Sequence, residues 1–178
     1  MQKDAEMVCV PQLSTGSVIL PAQMLELDMT EPNYEKYYAY RLAHERMKGA
    51  FEAGYPLETI TIAESIITDR LLSHANFHGA GLNPDRTPLG PALQHFKQHP
   101  GTVDPSAHKA LVERVEVWSQ ERNHTLHGIA KSAQGEGPAV GAGEFVDHAS
   151  EVARSGMDLV TSVKRWIDAE VNAAGKGK

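Results

Sequence analysis

Apolar residues recur along most of the chain at the spacing of amphipathic helices. This pattern predicts helices over about 30–52, 57–77, 88–99 and 104–128, and a last one from about 144. Capping residues and prolines mark the starts at Thr30-Glu31-Pro32 and Asp104-Pro105, and Gly54 with Pro56 marks the end of the first helix. Few segments look like strands, so we expect an all-α fold, an antiparallel helical bundle of about four to five helices.

The helical pattern also divides the chain. Residues 1–30 lack it and contain turn formers, so they are expected to form an irregular N-terminal arm or hairpin. Residues 31–172 are predicted to be a single helical-bundle domain, interrupted by a flexible connection over 131–143 that is rich in Gly, Ala and Ser. Residues 173–178 are expected to form a basic tail.

A charged residue interrupts the apolar stripe of the fourth helix. Leu111, Val115 and Trp118 recur at i, i+4 and i+7, and the next position of the stripe is Arg122. Arginine is almost never fully buried without a partner. Either this helix has left the core at Arg122, or an anionic group meets the guanidinium there.

Two acids of the second helix are candidates for that anionic group. Glu64 lies on an apolar stripe with Ile60, and Asp69 follows Ile66 on an adjacent one. In one interpretation the second helix is partly exposed and both acids are solvated. In the other, at least one of them pairs with Arg122, because a buried pair is tolerable where a lone buried charge is not.

Composition and charge restrict the class of protein. A hydrophobic content of 41% and a charged content of 22% are average for a globular protein, and no apolar run is long enough to span a membrane. The N-terminus has no secretory signal and Cys9 alone cannot form an internal disulfide, which favours a cytoplasmic location. A formal charge of −6 disfavours bulk attraction of nucleic acid, so such a ligand would need a local patch.

Two kinds of chemistry are poorly supported by the pattern. His74 and His78 lie four apart and His124 and His127 three apart, which are spacings that can place two imidazoles on one metal ion. Neither pair stands in a His-Glu-x-x-His arrangement, and nine histidines produce such spacings by chance, so we expect no metal and no cofactor. Cys9 lies in the irregular arm and no serine stands in a Gly-x-Ser-x-Gly turn, which disfavours a nucleophilic triad.

Metal-free cleavage of a phosphodiester fits the residues better. Arg122 could neutralise charge on a phosphate, His127 could move protons at neutral pH, and the Asn123 amide could orient the imidazole. On an ideal helix Asn123 and His127 are neighbours, whereas Arg122 is displaced from His127 by about 140°. This displacement leaves room for a symmetric partner that supplies a second Arg and His.

These residues resemble a known family. Arg122-Asn123-x-x-x-His127, late in a helix and followed by Gly128, is similar to the Arg-polar-x(3–5)-His signature of the HEPN domain (higher eukaryotes and prokaryotes nucleotide-binding). The segment from Ala63 to Leu71, which reads Ala-Glu-Ser-Ile-Ile-Thr-Asp-Arg-Leu, resembles the acid-bearing first core helix of the family, and Pro88-Leu89-Gly90 resembles the start of its short next helix. The resemblance covers about residues 57–170.

The resemblance implies a specific function. Catalytic HEPN proteins are metal-independent ribonucleases in which a homodimer joins two motifs and the ribose 2′-hydroxyl attacks the adjacent phosphate. By resemblance His127 would transfer protons, Arg122 would bind the phosphate, Asn123 would support both, and Glu64 or Asp69 would hold Arg122. Many members are toxins or phage-defence effectors, often encoded beside an antitoxin such as a nucleotidyltransferase.

Two questions remain open from the sequence. His124 adds an imidazole beside the motif, and the pattern does not say whether it competes, assists or is only exposed. The alternative function is a non-catalytic HEPN-like module that binds a nucleotide or a protein and uses Arg122 structurally. The acidic net charge favours this alternative, and the presence of both Arg122 and His127 in one motif favours the enzyme.

Overall fold

The described part of the chain is entirely helical in its regular structure. The computed structural model describes residues 32–100, 103–128 and 141–176, and within these ranges it contains five helices and no strand. They are α1 (Pro32–Glu52), α2 (Pro56–Phe77), α3 (Leu89–Gln98), α4 (Pro105–Gly128) and α5 (Ala142–Lys176). The predicted all-α bundle is therefore confirmed. The predicted arm over residues 1–30 and most of the predicted connection over 131–143 lie outside the described residues.

Local sequence signals explain several helix ends. Asp104 caps α4, because its Oδ1 accepts hydrogen bonds from the backbone N–H groups of Ser106 and Ala107, each at 3.0 Å. These bonds lower the pKa of the Asp104 carboxyl. Gly54 lies in the tight turn between α1 and α2. Its φ of +77° is a backbone conformation that a residue with a Cβ rarely adopts.

α2 is the central helix of the bundle. It packs against α1, α3 and α5, and α4 packs against α3 and α5. The helices bury one continuous core, whose most enclosed side chains include Ile60, Ile67, Leu71, Phe96, Val115 and Val163. The backbones of α2 and α4 do not pack closely on each other, so contact between these two helices depends on long side chains.

The buried face of α1 differs from the pattern at one position. The spacing of its apolar residues predicts that Tyr37, Tyr40, His44, Met47 and Phe51 face the core. Met47 is buried, but Tyr37 is 63% exposed, so the prediction is wrong for Tyr37. Tyr37 is displaced from Met47 by about 80° around an ideal helix. Tyr40 lies closer to the core, under the Arg70 guanidinium, which is 4.0 Å from its ring centroid.

The length and apolar content of a helix decide whether it can span a membrane. Within the described ranges, none of the five helices combines the length and the apolar content needed to cross a bilayer.

Candidate active site

The last turns of α4 are positioned by their contact with α5. Leu111, Val115 and Trp118 are buried as the stripe predicts, and the Trp118 Nε1–H donates a hydrogen bond to the Val152 carbonyl at 2.9 Å. Gly156 of α5 lies directly against the Trp118 indole: a Cβ built at Gly156 would be 2.9 Å from Trp118 Cζ2. This close approach fixes the rotation of α4 about its axis and therefore decides where Arg122 points.

Arg122 leaves the stripe toward α2 and meets a carboxylate there. Its Nη2 donates a hydrogen bond to Glu64 Oε1, and its Nη1 donates one to Asn123 Oδ1 at 2.7 Å. The Arg122 side chain is 13% exposed and that of Glu64 25% exposed, so the pair is mostly shielded from water. The anion that Arg122 needs on this apolar stripe is thus the carboxylate of Glu64.

Asp69 does not take part in this arrangement. Its carboxylate lies 3.7 Å from the Lys36 Nζ of α1, in a pair in which both side chains are about half exposed. Glu64 and Asp69 are separated by five positions, which turns an α-helix by about 140° and points the two acids to different sides of α2. Of the two acids that the sequence leaves open as partners of Arg122, the structure places only Glu64 beside it.

His127 stands apart from this cluster. Its side chain is exposed, and within the described residues it makes no side-chain hydrogen bond and no ion pair. Asn123, which ideal helix geometry makes a neighbour of His127, gives its Oδ1 to Arg122 instead. One copy of the chain therefore brings Glu64, Arg122 and Asn123 together and leaves His127 on a different side of α4.

The opposite side of α4 carries a second polar cluster. His124 is exposed, and its ring centroid lies 6.3 Å from that of His148 in an edge-on arrangement. The His148 Nε2 lies 3.6 Å from Glu121 Oε2. His148 lies in the second turn of α5, far from the motif in sequence. No rule of residue spacing could therefore have identified His148 from the sequence.

A groove of about 650 Å³ runs between α4 and α5 beside this second cluster. Acidic side chains outnumber basic ones along it: Glu113, Glu121, Glu151 and Asp158 face Arg114 and His148. Trp118 also lines the groove. A polyanion would not be attracted into this groove by its overall charge.

The other pair of closely spaced histidines lies in a different environment. His74 is 3% exposed and packs between aromatic rings, with ring centroids 5.5 Å from Phe96 and 5.2 Å from Trp166. Burial is the main cause that lowers its pKa to about 4, and the neighbouring His78 lowers it further. His74 therefore belongs to the core, and the described residues contain no group of three or more side chains placed to hold a metal ion.

Comparison with known protein families, curated proteins and solved structures finds no match for this chain. The resemblance to the HEPN domain therefore depends on the Arg122-Asn123-x-x-x-His127 motif, on the segments Ala63 to Leu71 and Pro88-Leu89-Gly90, and on their place in the order of helices.

Proposed function

We propose that this chain is a metal-independent endoribonuclease of the HEPN type that acts as a homodimer. The main support for this function is the arrangement of side chains around Arg122. A guanidinium is held by Glu64 and Asn123 at the end of a helix, and an exposed imidazole, His127, follows on the same helix. A fixed guanidinium can neutralise charge on a phosphate and a free imidazole can transfer a proton, and metal-free cleavage of RNA can use both.

The guanidinium retains capacity for a phosphate. Arginine has five N–H donors, and the described contacts use one hydrogen of Nη1 and one of Nη2. The second hydrogen on each terminal nitrogen is left for an oxygen of the scissile phosphate. Glu64 holds the guanidinium in place, so less side-chain freedom is lost when the substrate binds.

The reaction follows from the chemistry of RNA. The ribose 2′-oxygen attacks the adjacent phosphorus, the bond from phosphorus to the 5′-oxygen breaks, and the products carry a 2′,3′-cyclic phosphate and a 5′-hydroxyl. His127 takes part as a proton-transfer group, for which an imidazole is suited near neutral pH. Arg122 neutralises the charge that develops on the non-bridging oxygens.

A homodimer is part of the proposal because of the helix geometry. Arg122 and His127 are separated by five positions, which turns the helix by about 140°, so the two side chains of one copy diverge. A two-fold contact between α4 ends would place the Arg122 of one copy near the His127 of the other. By resemblance, we further propose a role as a toxin or phage-defence effector, with an antitoxin or nucleotidyltransferase as partner.

One observation favours a second function. Arg122 is only 13% exposed and already has a carboxylate partner, which is also the arrangement of an arginine that serves the fold alone. Together with the net charge of −6, this supports a non-catalytic HEPN-like module that binds a nucleotide or a protein.

RNA cleavage in the presence of excess chelator distinguishes the two functions. The purified protein is incubated with labelled RNA beside Arg122→Ala and His127→Ala, and beside Arg86→Ala, which changes an exposed arginine in the loop before α3. The ribonuclease predicts cleavage by the wild type and by Arg86→Ala and a loss of about 100-fold or more in the other two variants. Cleavage that persists in Arg122→Ala or His127→Ala, or that stops when chelator is added, would contradict it.

A further inference from the structure

Three side chains form a polar row along the exposed side of α4. Glu121, His124 and His127 follow one another at intervals of three residues, and all three are exposed. Residues three apart on a helix are surface neighbours, so each member of the row lies beside the next. Arg122 is excluded from this row because it points to α2 and Glu64.

α5 supports this row from the side. The His148 ring stands edge-on to that of His124, with centroids 6.3 Å apart, and the His148 Nε2 lies 3.6 Å from Glu121 Oε2. The His148 side chain is 38% exposed and that of Glu121 is 52% exposed, so the cluster is open to a large substrate. The His148 ring thus lies edge-on beside the His124 ring, and the Glu121 carboxylate can pair with His148 when that imidazole is protonated.

The proposed reaction needs two proton transfers, and His127 can perform only one at a time. One group must take the proton of the 2′-hydroxyl as its oxygen attacks phosphorus. Another must give a proton to the 5′-oxygen as its bond to phosphorus breaks and the electron pair moves onto that oxygen. The first group ends the step protonated and the second neutral, and exchange with water restores both.

We infer that His124 is the second proton-transfer group and that His148 and Glu121 are its positioning residues. His127 takes the proton of the 2′-hydroxyl, and His124 protonates the 5′-oxygen. The Glu121 carboxylate stands next to His124 in the row, where it complements the imidazolium that a general acid must be at the start of the step. These roles rest on the proposed function, because they are defined only for a chain that cleaves RNA.

A substrate with a better leaving group tests this assignment. In an RNA whose bridging 5′-oxygen is replaced by sulfur, the thiolate leaves without protonation, so general acid catalysis is no longer needed. The full chain and its His124→Gln and His127→Gln variants are assayed on the ordinary RNA and on the sulfur-bridged RNA. His99→Gln serves as the control, since His99 is an exposed histidine directly after α3 and outside the row on α4.

The expected result is selective rescue. His124→Gln should lower kcat by about 100-fold or more on the ordinary RNA and come within a few-fold of the wild type on the sulfur-bridged RNA. His127→Gln should be slow on both substrates, and His99→Gln should match the wild type on both. His148→Gln and Glu121→Gln should lower kcat by about 10-fold on the ordinary RNA and be rescued in the same way.

Other outcomes separate this role from the proposed function. If the wild type cleaves both substrates and His124→Gln cleaves the ordinary RNA at the wild-type rate, the role of His124 is overturned and the ribonuclease stands. If His124→Gln is equally slow on both substrates, His124 does not act on the leaving group and the inference is also overturned. If the wild type cleaves neither substrate, the ribonuclease fails and the role of His124 fails with it.

Discussion

Arg122 of α4 donates a hydrogen bond to the Glu64 carboxylate of α2, and it thereby joins two helices whose backbones do not pack closely. The pair is mostly shielded from solvent, with the Arg122 side chain 13% exposed. A shielded charge that loses its partner is costly, whereas an exposed ion pair contributes little. The stability of the fold should therefore depend on Glu64 more than on an acid in an exposed pair.

Substitution of Glu64→Gln should destabilise the protein by about 1–3 kcal/mol, because Arg122 then keeps its charge and loses the carboxylate. The measurement is the free energy of unfolding in urea. The matched control is Glu45→Gln, which removes the acid of the exposed Arg41–Glu45 pair on α1 and should cost about 0.5 kcal/mol or less. If the two substitutions have equal effects, Arg122 and Glu64 do not form the shielded pair described above.

The contact between Gly156 and Trp118 makes a prediction about core packing. In Gly156→Ala the new Cβ would lie 2.9 Å from Trp118 Cζ2, so the indole or α5 must move, at a cost of about 1–3 kcal/mol. Gly49→Ala is the control: it also lies within a helix, and nothing stands within 4 Å of its added Cβ. Gly49→Ala should stabilise by about 0.5–1 kcal/mol. Urea denaturation that ranks the two variants in the opposite order would contradict this packing.

Much of the fold could be predicted from periodicity and capping. The end of α1 at Glu52 agrees with the prediction, and the starts of α2 at Pro56 and α4 at Pro105 lie within one residue of it. These ends are set by Gly54, Pro56 and Asp104-Pro105, which act locally. The apolar stripe also identified Arg122 as a charge at a core position and offered Glu64 and Asp69 as its candidate partners, beside the alternative that all three are solvated.

The rest depends on how the helices are placed relative to one another. A stripe does not specify the rotation of α2, so the choice of Glu64 over Asp69 required the three-dimensional structure. The contact of Glu121 with His148 links α4 to α5, and the sequence pattern within either helix cannot predict it. Ideal geometry also paired Asn123 with His127, but the amide oxygen binds Arg122, because a guanidinium donor competes for it.

The buried His74 predicts a loss of stability in acid. Its folded-state pKa of about 4 lies below the ordinary value of 6.5, through burial first and then through His78, His108 and His95, while Glu170 opposes the shift. Between pH 6.5 and 4 the unfolded chain therefore binds the proton that folded His74 does not, and stability falls as the pH is lowered through this range.

Urea midpoints measured from pH 7.5 to pH 4.5 check this prediction. His74→Phe should make stability less dependent on pH over this range, and the slope that remains is expected from His44, His95 and His108, whose pKa values burial also lowers. Ile67→Val changes the same helix without removing a titratable group, so it should shift stability about equally at every pH. An unchanged slope in His74→Phe would show that His74 is not the buried neutral imidazole described.

The proposed homodimer makes a prediction about mixed variants. A heterodimer of Arg122→Ala and His127→Ala contains one site with an intact Arg122 from one copy and an intact His127 from the other. Mixing the two inactive proteins should therefore restore up to about half of the wild-type rate per heterodimer. The measurement is RNA cleavage as a function of mixing ratio. A mixture as inactive as its components would contradict a site shared between two copies.

The reaction proposed for this chain is cleavage of RNA by attack of the ribose 2′-hydroxyl with the help of Arg122 and His127. Its most direct test is to incubate the wild type and His127→Ala, in excess chelator, with an RNA and with the same oligonucleotide carrying 2′-O-methyl riboses, and to determine the ends of the products. Only the wild type should cut the RNA, leaving 2′,3′-cyclic phosphate and 5′-hydroxyl ends, and the methylated oligonucleotide should stay intact. Equal cleavage of the two oligonucleotides, equal cleavage by the two proteins, or no cleavage of the RNA by the wild type would contradict it.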